Sequence, residues 1–257
     1  MTKNNQLDWM QILFVFLGGF VGVLSTLPLL PQLISNSGQS LPVPIAVVQT
    51  VSVIQSSVIL LLLVVLGGWL APKINLGTPV LSAFLNRSLQ KLDLKPILIS
   101  GVVWGVLGGL LIIGFYLLSA PLLPAEFLEN SEDLSLPFYT RLLYGGITEE
   151  VLVRWGLMSL FVWGLYRLTQ NREASVKPYN YLFGIILSAF LFGVGHLPAA
   201  SLLTSDVTSG LIFYIIVGNS LFGLIAGFLF WKRGLESAIL AHMIAHIVMM
   251  LGEIVAA

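Results

Sequence analysis

Long apolar runs separated by short polar segments set the pattern of the chain. Seven runs are near or above the roughly 20 residues that cross a bilayer as a helix. They extend over Met10 to Ile34, Ile45 to Ala71, Pro96 to Leu118, Leu136 to Leu168, Tyr179 to His196, Val207 to Trp231, and Leu235 to the end. Pro28 and Pro31 are expected to kink the outer part of the first run. A short uncharged turn, Ser35 to Pro44, leads into the second. The pattern predicts an all-α fold, a polytopic membrane helical bundle of about seven transmembrane helices. Residues 1–257 read as a single membrane domain, with three spans in 1–120 that carry no chemical motif and four in 134–257 that do.

Composition agrees with the pattern. The chain is 57% hydrophobic and 9% charged, with a mean hydropathy of +0.95, where a soluble domain carries about 25% charged residues. The formal net charge is zero, so no basic field argues for nucleic acid. There is no cysteine, which excludes disulfides, thiolate metal sites, a cysteine nucleophile and lipidated cysteine. Lys3 and Asp8 precede the first run without a small-residue cleavage pattern, so that run is expected to be a retained span.

Where the charges fall gives an orientation. Lys73, Arg87, Lys91 and Lys95 lie between the second and third runs, Arg167, Arg172 and Lys177 between the fourth and fifth, and Lys232 and Arg233 between the sixth and seventh. The alternate loops hold Glu126, Glu129, Glu132, Asp133 and Asp206, with Arg141 just inside the fourth run. The positive-inside rule then puts the N-terminus in the cytoplasm and the C-terminus on the opposite side. Between Thr78 and Leu92, apolar residues recur at helical spacing behind a capping threonine and Pro79, which predicts a short amphipathic helix in the cytoplasmic interface. The glycine clusters at Gly105, Gly108, Gly109 and at Gly218, Gly223, Gly227 read as close helix packing.

Candidate chemistry lies in the fourth run, in Glu149-Glu150-Val151-Leu152-Val153-Arg154. Each ionised side chain at the centre of a membrane helix costs about 2.5–3.5 kcal/mol on insertion scales. Glu150 and Arg154 are i,i+4 and can pair on one face. Glu149 lies about 100° round the helix and need not join them. Two readings stay open: an ion pair that fixes packing, or a free carboxylate beside a neutralised one, suited to acid–base work. All three histidines also lie in or beside apolar segments, His196 closing the fifth run and His242 and His246 at i,i+4 in the last. One membrane histidine usually packs or hydrogen-bonds; three, with two carboxylates, favour a shared polar site.

These motifs in order resemble the CAAX protease and bacteriocin-processing (Abi, CPBP) family of intramembrane endopeptidases. The family pattern is E-E-x-x-x-R, F-x-x-x-H and H-x-x-x-N or a near variant. Here it reads Glu149-Glu150-x-x-x-Arg154, Phe192-x-x-x-His196 and His242-x-x-x-His246. The resemblance covers the C-terminal half. It implies a water-activating base at Glu149 with His196 orienting or polarising the water, and a supporting ion pair of Glu150 with Arg154. It further implies an oxyanion-stabilising pair at His242 and His246, with Phe192 in support. Such roles suit peptide hydrolysis, which needs a base near water and donors aimed at the developing oxyanion. The departure is His246, where the family usually has Asn. An amide always donates, whereas neutral histidine donates from one nitrogen and can ligate a metal. His246 is thus a working substitute or the mark of altered or lost proteolysis.

The expectation is therefore an intramembrane endopeptidase, a hydrolase acting on a membrane-embedded or membrane-delivered peptide without a cofactor. A zinc ion held by Glu149, His196, His242 and His246 is the alternative. A non-catalytic membrane scaffold or assembly factor retaining the polar core is the second function, and a proton-relay transporter the third, against which no inverted repeat is visible. The partners expected are the lipid bilayer and a membrane peptide or protein substrate, with no nucleic acid; membership of a membrane-protein complex stays open. One difficulty is depth. Counted at 1.5 Å per residue from the cytoplasmic ends of their spans, His242 lies roughly 10 Å in and His196 roughly 25 Å in. A common site needs them level.

Overall fold

The computed structural model describes residues 7–36, 42–134, 136–170 and 175–256. Half of the connection read from Ser35 to Pro44, residues 37–41, lies outside them, as do Lys3 and Arg172. Ten helices organise the described residues: α1 (Trp9–Ser25), α2 (Leu29–Asn36), α3 (Ile45–Leu70), α4 (Pro79–Leu85), α5 (Lys95–Ser119), α6 (Ala125–Asp133), α7 (Phe138–Thr169), α8 (Pro178–Gly195), α9 (Ser209–Arg233) and α10 (Leu235–Ala256). No strand occurs among the described residues. Six helical stretches are long and apolar enough to cross a membrane, and α1 is a shorter apolar helix. The protein is an all-α polytopic bundle of about seven spans and an integral, multi-pass membrane protein.

Local chemistry sets many of the ends. Proline stands in the first turn of α4, α5 and α8, where its missing N–H costs nothing. The Asp8 carboxylate accepts from the Gln11 N–H at the start of α1, and the Thr208 hydroxyl accepts from the Leu211 N–H at the start of α9. Gly234 separates α9 from α10 with a φ of +94°, a conformation that glycine adopts without the Cβ penalty. The first apolar run is broken rather than bent: α1 stops at Ser25 and α2 starts at Leu29. The hydroxyls of Ser25 and Thr26 turn back to the carbonyls of Gly22 and Val23, and Pro28 has no N–H with which to continue the ladder.

Two N-terminal helices buttress α7. The Thr148 hydroxyl donates to Gly19 O at 2.7 Å and that of Thr140 to Ser25 O at 2.8 Å, which fixes α1 along α7. On α3, Val64 O accepts from Trp155 Nε1 at 3.0 Å, and Trp155 is fully buried. The glycine clusters lie at close helix contacts. A Cβ on Gly105 would meet Ile244, one on Gly109 would meet Val248, and one on Gly223 would meet Ala189. Over Arg141–Met158 the hydrogen bonding of α7 takes the wider π pattern, which is rare and concentrates at functional sites.

The expected amphipathic helix is shorter than the run from Thr78 to Leu92. It ends at Leu85, with the Asn86 carboxamide bonded back to Ser82 O, Arg87 at a φ of +52°, and one tight turn over Leu89–Lys91. Thr78 makes no cap. Its hydroxyl takes the Gln11 amide at 2.6 Å, and the free Leu81 N–H is met by the Glu236 carboxylate of α10 at 2.8 Å. In return, Leu235 N–H donates to Gly77 O at 3.1 Å. The α4 segment thus covers the start of α10, whose Leu235 and Ala238 are buried.

Candidate active site

That covered start resolves the depth problem. α10 begins inside the protein, beneath α4, so His242 lies deeper than a count from the surface gives. Together α7, α8 and α10 bring the two motif carboxylates and two of the three histidines into one cluster. Glu149 Oε1 lies 3.6 Å from His196 Nε2, and Glu149 Oε2 lies 3.9 Å from His242 Nε2. His242 Nδ1 is 2.8 Å from Glu150 Oε1.

The two glutamates occupy different surroundings. Glu150 and Arg154 are fully buried, with Arg154 Nε 3.2 Å from Glu150 Oε2. That contact is an ion pair without hydrogen-bond alignment, since both atoms lack a hydrogen-bond partner. Elsewhere on the guanidinium, Nη2 donates to Gly223 O at 3.2 Å, the Phe192 ring lies 4.8 Å from the central carbon, and Nη1 is enclosed without a hydrogen-bond partner. Glu149, by contrast, keeps 16% of its side chain exposed and lines a cavity of about 640 Å³.

Aromatic contacts fix the imidazoles. Phe192 meets His196 edge-on at 4.7 Å and His242 at 6.0 Å, and Phe222 of α9 lies 4.4 Å from His242. His196 Nδ1 is 2.8 Å from Phe192 O, which accepts only from an N–H. In the neutral ring His196 Nε2 is then the lone-pair nitrogen facing Glu149. A gap of 3.6 Å between that nitrogen and the carboxylate suits a bridging water.

His246 is placed differently. Its ring stacks on His242 at 4.8 Å and 9°, both ring nitrogens are enclosed without a partner, and Nε2 abuts Gly145 of α7. The parallel stack keeps the two rings from converging on one point. Among the described residues, no three His, Asp or Glu side chains are grouped as a metal site.

Several residues of this site were not picked out from sequence. Phe222 and Gly223 sit in an apolar, glycine-rich stretch whose evident reading was packing. Asn219 also lines the cavity; its Nδ2 donates to Ile215 O at 2.8 Å and keeps a second N–H. A lone carboxamide inside a 25-residue apolar helix was the available signal. Tyr144 and Arg141 complete the wall, and Arg141 Nη1 pairs with Glu253 at 2.7 Å. A mainly apolar arm of the cavity is formed by Val23, Leu27, Leu29, Leu30 and Val53, interrupted by the hydroxyls of Thr26, Ser52 and Ser56.

No curated protein and no solved structure matches the chain. A family model does, that of the type II CAAX prenyl endopeptidase Rce1-like family, over residues 131–248, a stretch that holds every motif residue described above. Over that stretch, a little under half of its length, the chain is similar to the Rce1-like family of CAAX endopeptidases.

Proposed function

We propose that the protein is an intramembrane endopeptidase in which Glu149 activates water. The observation that carries this reading is the contrast between a sealed Glu150–Arg154 pair and a cavity-facing Glu149 between two imidazoles. Water held between Glu149 and His196 gives a proton to the carboxylate as its oxygen bonds to the scissile carbonyl carbon. The carbonyl π electrons move to oxygen. Collapse breaks the C–N bond, and the proton on Glu149 passes to the leaving amine, so that one water is consumed and an acid and an amine appear. His196 orients the water through Nε2. His242, anchored to Glu150 through Nδ1, presents Nε2 to the reacting centre.

The second oxyanion donor is Asn219 rather than His246. α9 and α10 run antiparallel with Phe222 level with His242, so Asn219 and His246 fall one turn further on at the same depth. Both residues line the cavity, but the nitrogens of His246 are enclosed without a partner, whereas no atom of Asn219 is sealed in that way. A carboxamide serving only as glue between helices would bond across to a neighbour; this one bonds to its own helix. The site works without a metal in this reading, which draws on the parallel His242–His246 stack. The apolar arm suits a hydrocarbon segment, whether apolar peptide side chains or a prenyl chain of the kind that the family is named for.

Trapping tests the proposal. The Glu149→Gln variant, purified with crosslinked bound peptides, should retain intact substrates that the wild type releases as two fragments. A scaffold would hold the same intact partner in both forms, and that result would end the hydrolytic reading.

A further inference from the structure

We infer that the active site is served from the non-cytoplasmic face, so that its substrate is a peptide segment presented at the outer leaflet. This rests on the hydrolytic reading for the word substrate, but the facing itself does not. Two independent observations meet here. The first is where the cavity lies. Its lining comes from the end of α1 (Val23, Thr26), the first half of α3 (Ser52, Ser56), the last part of α5 (Phe115), the first turns of α7 (Arg141), the residues just after α8 (Ala199) and the start of α9 (Tyr214). In an up-and-down bundle these positions share one half, next to the loops that hold Glu126 and Asp206.

The second observation is the opposite end. Lys73 sits 3.4 Å over the Trp69 ring, Lys232 sits 3.4 Å over Trp231, and Arg167 lies 5.8 Å from Trp163. Trp69 and Trp163 are themselves in contact at 5.9 Å. Basic residues laid over tryptophans form an interfacial belt, and the excess of Lys and Arg there marks the cytoplasmic side. The cavity therefore opens away from the cytoplasm. Peptides exposed after translocation, or held in the outer leaflet, reach Glu149; C-termini of cytosolic proteins do not.

The chain has no cysteine, which permits a direct test on the full-length protein. Single substitutions Ala199→Cys and Asp206→Cys report the cavity end, and Lys91→Cys reports the basic end. Each is expressed in a bacterial plasma membrane and exposed to a membrane-impermeant maleimide, before and after permeabilisation. The cavity-end cysteines should label in intact spheroplasts, and Lys91→Cys only after permeabilisation. The reverse pattern, or labelling of both ends in intact spheroplasts, would overturn the inference. Neither outcome touches the hydrolytic proposal, which is read by cleavage. A protein that labels as expected but cleaves nothing keeps its facing and loses its enzymology.

Discussion

The two sides of α7 are built on opposite terms although they start from adjacent residues. On one side Glu150 and Arg154 are sealed, and every contact they make is to protein: His242, Gly223 O and the Phe192 ring. On the other side Glu149 borders a cavity, near His196 and His242 but in hydrogen-bonding contact with neither. The sealed side spends its polar groups on holding α7, α9 and α10 in register. The open side leaves its polar groups free for a ligand and a water. Identical side chains thereby acquire different work from their surroundings, as in other sites that set two carboxylates to two tasks.

The comparison breaks first at Arg154. Replacing it with Met leaves Glu150 buried without its cation, a change that costs about 3–5 kcal/mol when one partner of a buried pair is removed. The Arg154→Met protein should lose most of its thermal stability in detergent, and an unchanged melting midpoint would show that the pair does not hold the helices. On the open side the effect should fall on rate. Asn219→Leu should lower kcat about 10²-fold with KM and melting midpoint unchanged, the scale of losing one oxyanion donor. Adding His246→Asn should restore part of that loss, because an amide at that position donates in every protonation state. If Asn219→Leu keeps the wild-type kcat, the donor is elsewhere.

What was legible in the sequence follows the same division. The spans could be read because each is a long apolar run, and the ion pair because i,i+4 spacing is local. Glu149, His196 and His242 could be nominated because titratable groups are costly in apolar surroundings and stand out against them. The α7 widening was not legible, since apolar pattern does not distinguish a π turn from an α turn. Nor was the level of His242, which depends on the α4 segment covering the start of α10, a contact between residues 77 and 235. Asn219 is not legible as a cavity residue, because its position at the cavity shows only once the neighbouring helices are in place.

Smaller effects sharpen the boundary between scaffold and site. Thr148→Val removes the hydroxyl bond that ties α7 to α1, and should cost about 1 kcal/mol, the usual net worth of one hydrogen bond. Its melting midpoint should fall slightly while cleavage per folded molecule stays level. Near the cavity end, outside the spans, the Glu126 carboxylate accepts from the Ser205 N–H and from the hydroxyls of Ser205 and Thr204. These donors, the Ser205 amide foremost, hold its pKa below the ordinary 4.5. A depressed carboxyl pKa stabilises the folded state above the unfolded value and loses that contribution as pH falls through the folded one. The melting difference between wild type and Glu126→Gln should therefore be present at pH 7 and shrink below pH of about 4. A difference that persists in acid would mean that packing, not charge, holds this loop.

The most direct test sets the two glutamates against each other. Glu149→Gln and Glu150→Gln are purified side by side, and each is measured for cleavage of a trapped substrate and for its melting midpoint. The account predicts that Glu149→Gln melts with the wild type and loses about 10²–10⁴-fold in rate, the contribution of a positioned general base. It predicts that Glu150→Gln loses stability, because Arg154 is left buried without its counter-charge. A Glu149→Gln protein that still cleaves at the wild-type rate, or a pair of variants that lose stability and rate in equal measure, would contradict it.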